Sequence, residues 1–171
     1  MTSMAAPSTR SDRQTSNPPG RPNEARAAAL RAANINPRTG LATDYLNHFN
    51  EAIMLLEMIP DMPECAEDFL GWQPLSYCEH FTASNFKGRD LAIQAYGSAD
   101  ASIRAEFDNV TTAMTSILTA VGTAMREARQ DKTRATLAEQ ATVWVKPLVA
   151  QAGGIINGDT EADVETIMKS R

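Results

Sequence analysis

The chain has 171 residues, 43% of them hydrophobic and 22% charged, with a formal net charge of −5. That is the size and composition of one globular domain, long enough to bury a core without disulfide or metal staples. No apolar run approaches the roughly 20 residues of a membrane helix, and the first residues lack the apolar stretch of a secretory signal. A cytoplasmic, non-membrane protein is therefore expected. Its two cysteines, Cys65 and Cys78, fit free thiols in a reducing compartment.

Charge divides the chain. Residues 1–40 hold six arginines against Asp12 and Glu24. Between Arg38 and Lys87 there is no Lys or Arg at all, while Asp44, Glu51, Glu57, Asp61, Glu64, Glu67, Asp68 and Glu79 fall in that stretch. Such a body repels phosphates, so nucleic-acid binding through the folded domain is not expected.

In chain order, residues 1–22 are Ser, Thr, Pro and Arg with few large apolar groups, and read as a disordered basic tail. Residues 23–40 read as a short helix and linker, with Asn23 capping an Ala-rich helix over 24–33 and Asn36-Pro37 and Gly40 closing it. Residues 41–171 read as the bundle domain. Thr43 is predicted to cap a central helix over about 44–59, ended by Pro60. Tyr45, Phe49, Ala52, Leu56 and Ile59 line one face of it at helical spacing. Short helices follow over 64–71, from Pro74 to about 83, and over 89–96.

The longest helix is predicted over about 99–129, with a seam of Ile103, Phe107, Val110, Met114, Ile117, Val121, Ala124 and Ala128. A returning helix over about 132–152 carries Leu137, Ala141, Trp144, Leu148 and Ala152 on the facing side. The short connection makes the pair an antiparallel hairpin. Pro147 is expected to kink its second arm near Val143, and Gly153-Gly154 to end it. Thr160 opens a final helix to 169. No segment alternates with period two. The predicted fold class is all-α, a single-domain helical bundle in which the hairpin packs on the central helix and several short helices. The seam is read as packing within the chain, with a homodimer as the alternative.

Residues 41–96 hold both histidines, both cysteines, all three tyrosines, four of the five phenylalanines and Trp72. The segment 68–77 places Phe69, Trp72, Leu75 and Tyr77 beside Glu67 and Asp68. Aromatics bordered by acids suit a protein-binding face that attracts a basic partner. The competing reading is a plug for the open end of the bundle. A second candidate is a metal site: His48, Glu51, Glu79 and His80 supply two imidazoles and two carboxylates, a set that suits zinc or iron if their helices converge. The thiols stand among acids and read as buried apolar groups. No nucleophile elbow, phosphate loop or dinucleotide fingerprint occurs, so catalysis is not favoured. The preferred expectation is a small adaptor or regulatory protein without a cofactor. The alternatives are the metalloprotein and, third, an apolar-ligand carrier or small enzyme with a pocket between the short helices and the hairpin.

Overall fold

A computed structural model describes residues 20–158. The predicted tail up to residue 19 and the predicted helix over 160–169 lie outside the described residues; residues 20–22 are helical instead of tail, so Asn23 lies inside the first helix and does not cap it. Within them the chain is all-α. Seven α-helices follow one another: α1 (Gly20–Ala32), α2 (Leu46–Met58), α3 (Cys65–Leu70), α4 (Tyr77–Ala83), α5 (Arg89–Ser98), α6 (Ala101–Glu127) and α7 (Asp131–Ile156). No strand occurs among these residues. A single bridge pairs Ile35 with Ala42 across the loop after α1.

That loop is shaped by two left-handed residues, Asn34 (φ 61°) and Gly40 (φ 74°). Gly40 is needed twice over, because a Cβ there would stand 2.9 Å from the Ala95 carbonyl oxygen. The turn drives Leu30, Ile35 and Leu41 into the core.

The face predicted for α2 is the face it buries. Tyr45, Phe49, Ala52, Leu56 and Ile59 are all buried, joined by Leu46, His48 and Ile53. Its start differs from the prediction. Thr43 does not cap it; residues Thr43–Tyr45 form a 3-10 turn entered from Ala42, with no side-chain cap. Tyr45 is buried in that turn, and its burial draws the chain in ahead of the helix.

Helices α6 and α7 are joined by three residues and make the most extensive helix contact of the fold. Asp100 caps α6 by accepting from the backbone N–H groups of Ser102 and Ile103. At the other end the Arg134 Nε–H donates to the Met125 and Ala128 carbonyls, 3.0 and 2.7 Å away, where the helix dipole favours a cation. The core-facing side of α7 packs on α2, and α3 packs on α6.

Two expectations for α7 need correction. Gly153-Gly154 does not end it. The helix continues to Ile156, because Ile155 and Ile156 are buried and the Thr39 hydroxyl donates to the Ile156 carbonyl at 2.7 Å. Trp144 does not belong to its inward face. That face is Ala138, Ala141, Val145 and Ala152, and Trp144 is 53% exposed. One residue is about 100° of helix turn, so a seam displaced by one position moves a side chain from core to surface. Pro147 lies inside the same continuous helix.

Truncating Phe107 or Leu56, both fully buried, to Ala should destabilise the fold by about 3–5 kcal/mol. Exposed Gln151→Ala should change it by less than about 0.5 kcal/mol. Urea denaturation monitored by circular dichroism checks both.

Candidate functional site

Between Gly71 and Ser76 the chain has no regular structure, so its backbone groups must find partners elsewhere. The start of α2 supplies them. The Trp72 indole N–H donates to the His48 carbonyl at 3.0 Å, and the Leu75 N–H donates to His48 Nε2 at 3.0 Å. The Tyr45 hydroxyl donates to the Leu75 carbonyl at 2.7 Å. The Trp72 and His48 rings stack with centroids 4.6 Å apart. One helical turn on, Ser76 and Glu79 close a capping box that starts α4 at Tyr77 rather than at Pro74. The Tyr77 hydroxyl then accepts from the Ala42 N–H at 2.9 Å. Tyr45 sits in the middle, its ring within 5.2 Å of both Phe49 and Tyr77 and 6.1 Å of Phe107.

This assembly places the candidate partner-binding residues. Phe69 and Tyr77 are buried, Trp72 and Leu75 are half-buried, and Glu67 and Asp68 are exposed. The strip is therefore bolted to α2 over most of its aromatic area, and presents to solvent one edge of Trp72 together with Gln73 and Pro74. Glu67 is further engaged by Arg134 at 3.4 Å, an exposed pair of small energetic consequence.

The candidate metal residues are brought together in part. His48 and His80 stand with ring centroids 6.0 Å apart. The carboxylate at this pair is Asp44, which meets His80 alone, its Oδ2 3.0 Å from His80 Nε2. Glu79 is occupied in the capping box, its Oε1 accepting from the Ser76 N–H at 2.8 Å, and those bonds hold its carboxyl below the usual range. Glu51 is exposed on α2. Among the described residues no group of three or more His, Cys, Asp or Glu side chains is placed to hold a metal ion. His48 Nε2 must carry a lone pair to accept from Leu75, which fixes that ring as the neutral Nδ1–H tautomer and removes Nε2 as a free ligand.

Cys65 is buried and Cys78 half-buried. Burial first, and then Glu64 and Asp68, push the Cys65 thiol up. Burial and then Asp108 do the same for Cys78. These are thiols held away from the nucleophilic form.

A cleft of about 480 Å³ opens between residues 74–79 and α6. Its walls include the hydroxyls of Ser76, Tyr96, Thr112 and Thr115 and the carboxylate of Asp108, which accepts from Tyr96 at 2.8 Å. Tyr45, Pro74, Leu75 and Tyr77 supply its apolar walls.

A further acidic surface draws on methionines that the sequence already offers as an adaptable groove for a partner helix or an apolar ligand, or else as core filling. Met54 and Met62 are 53% and 42% exposed, and Met58 lies half-buried between them. Met54 and Met58 are one helical turn apart, and the Met62 N–H bonds the Met58 carbonyl to carry the row past the helix end. Exposed Glu51, Asp61 and Glu64 flank this row along the chain, Glu51 within one helical turn of Met54. The signal was present in the spacing of the methionines and the lack of basic residues, but exposure was not readable from either.

No protein family, no curated protein and no solved structure matches the chain. What places it is therefore its own geometry: an all-α bundle in which no described helix is long and apolar enough to cross a membrane.

Burial first, and then the neighbouring His80, push His48 down to about 4. The unfolded imidazole titrates near 6.5, so between about pH 6.5 and 4 the unfolded state binds a proton that the folded state refuses. Stability from this group is complete above about pH 6.5 and is lost as pH falls through 4, by about 2–3 kcal/mol. Urea titrations at pH 7.5, 5.5 and 4 should show that extra loss in the parent protein, and a smaller pH dependence in His48→Gln, whose amide does not titrate.

Proposed function

We propose that this is a small helical binding protein of the adaptor or regulatory kind, which works by docking a protein partner and not by catalysis. The acidic side of α2 and the turn after it, continued by Glu67, Asp68 and the outer edge of Trp72, receives the partner. The observation that carries this reading is the pairing of exposed methionines with uncompensated acid. Residues 39–86 contain no Lys or Arg. Across the described residues, only Asp44, Glu57 and Glu67 of this stretch enter an ion pair. Met54, Met58 and Met62 therefore stand within a negative field.

The partner chemistry follows. Unbranched methionine side chains re-pack against differently shaped apolar surfaces at little cost. Surrounding carboxylates favour a cationic approach and exclude acidic competitors. The fitting ligand is a basic amphipathic helix, with its apolar stripe on the methionines and its Lys or Arg flanks on Glu51, Asp61 and Glu64. The half-buried Trp72 edge and Leu75 add a fixed apolar rim, held in place by His48 and Tyr45.

A synthetic 18-residue Lys/Leu peptide with an amphipathic helical pattern tests this, against a scrambled peptide of the same composition. Fluorescence anisotropy should give the patterned peptide at least about tenfold tighter binding, since both share the same charge and only one presents an apolar face. The triple variant Glu51→Gln, Asp61→Gln, Glu64→Gln should weaken it about tenfold and flatten its salt dependence. Met54→Gln with Met62→Gln should weaken it while leaving the salt dependence intact. Equal binding of the two peptides would sink the proposal.

A further inference from the structure

The outer side of the α6–α7 pair is the other large surface without a partner. Helix geometry puts Val143 about 200° from both Ala141 and Val145, which are buried, so it points straight away from the core. It is 68% exposed, and Trp144 beside it is 53% exposed. Both sit at the middle of α7. Next to them runs a groove of about 370 Å³ between the two helices, lined by Ile117, Ala120, Val121, Ala124, Leu137 and Trp144. An indole is the costliest side chain to leave in water, and this one borders an apolar recess that nothing in its own chain fills among the described residues.

We propose that this face joins two copies of the chain, the Val143–Trp144 ridge of each entering the groove of the other. Three observations select a second copy as the occupant. The first is shape: a two-fold interface needs one patch to carry both a projection and a recess, and this patch carries both, side by side. The second is charge. From Asn109 to Met125, α6 has no charged residue on any side, and between Arg134 and Gly158 α7 has only Glu139 and Lys146. Lys146 is turned to Glu57 of α2, 2.8 Å away. Apart from Glu139, exposed one helical turn from Val143, the face gives a charged partner nothing to read. It also lets two copies of net charge −5 meet through their neutral sides, with α2 and its acids beyond α7 from the contact. The third is area. A 27-residue helix is about 40 Å long. The uncharged stretch of it from Asn109 to Met125 is about 25 Å long, and with the facing part of α7 it offers roughly 500 Å², so two copies would bury about 1,000 Å² in all, the lower end for a specific interface.

The dimer is independent of the acidic docking face, which it leaves open on both copies.

Sedimentation equilibrium on the full chain tests it, from about 1 to 500 µM, a range that spans the affinities of modest interfaces. The expected result is a reversible species of twice the 18.6 kDa chain mass. Trp144→Glu and Ala120→Glu both alter exposed positions. Each should weaken association by roughly thirtyfold or more, as expected when a charge meets an apolar anchor site. Circular dichroism should show the helical content unchanged. Met54→Glu, on the acidic side, should dimerise like the parent. Two results would overturn the proposal. One is a monomer at every concentration, which includes the case in which residues 159–171 cover the face within one chain. The other is a dimer that survives both substitutions, or that Met54→Glu weakens equally, since either moves the interface elsewhere.

Discussion

The corner of this fold depends on an imidazole that must stay neutral. Residues 71–76 run without helix or strand, so their N–H and C=O groups have no ladder of their own. His48 takes one bond on its ring nitrogen and one on its carbonyl, and presents its ring face to Trp72. Tyr45 takes the Leu75 carbonyl. An apolar residue at position 48 would fill the space and leave the Leu75 N–H unpaired, a cost of about 1–3 kcal/mol if it is buried. A permanently charged residue would pay for desolvation without a counter-ion. Histidine satisfies both demands in its neutral form, which is why burial lowers its affinity for a proton.

That constraint explains the crowding of aromatic residues into one third of the chain. Short helices and irregular turns expose more backbone polar groups per residue than long helices do. Tyr, Trp and His are the side chains that offer a large apolar body and a hydrogen-bonding tip together. Tyr45, Trp72 and Tyr77 each use both parts here. The long α6–α7 pair needs no such help, since its backbone is satisfied internally, and it is built from Ala, Thr and aliphatic residues. Aromatic enrichment read alone suggests a recognition surface. The hydrogen bonds around Trp72 and Leu75 account for most of it as internal bracing.

The helices were legible because apolar spacing is set by the 3.6-residue turn, and α2 and α6 display it over several turns. What spacing cannot resolve is rotation by one position. Leu137, Ala141, Trp144, Leu148 and Ala152 repeat at the right interval. Yet Val145 lies inward and Trp144 outward, and both patterns are apolar throughout. Local stop signals were overridden where burial opposed them, as at Gly153-Gly154. A local start signal yields where a stronger one lies nearby: Pro74 stands two residues before Ser76, whose reciprocal bonds with Glu79 are the actual beginning of α4. The pairing of His80 with Asp44, in preference to Glu51 or Glu79, depends on how two distant segments pack, and no spacing along the chain encodes it.

The exposure of Trp144 and the excess of acid on and after α2 are two aspects of one arrangement. Helix α7 stands between them, its inner side on α2 and its outer side bare. The surface proposed to receive a basic partner and the surface proposed to join two copies would thus stand a helix diameter apart, about 10 Å. A chain with its acids spread over both sides could not associate with itself at modest concentration without bringing like charges together. Segregation removes that conflict, and under the two proposals each surface would bind by its own chemistry, one through shape and one through charge. Two acidic faces carried on one dimer would then engage a partner that repeats its basic helix more tightly than either face alone, in proportion to how well the repeat matches their spacing.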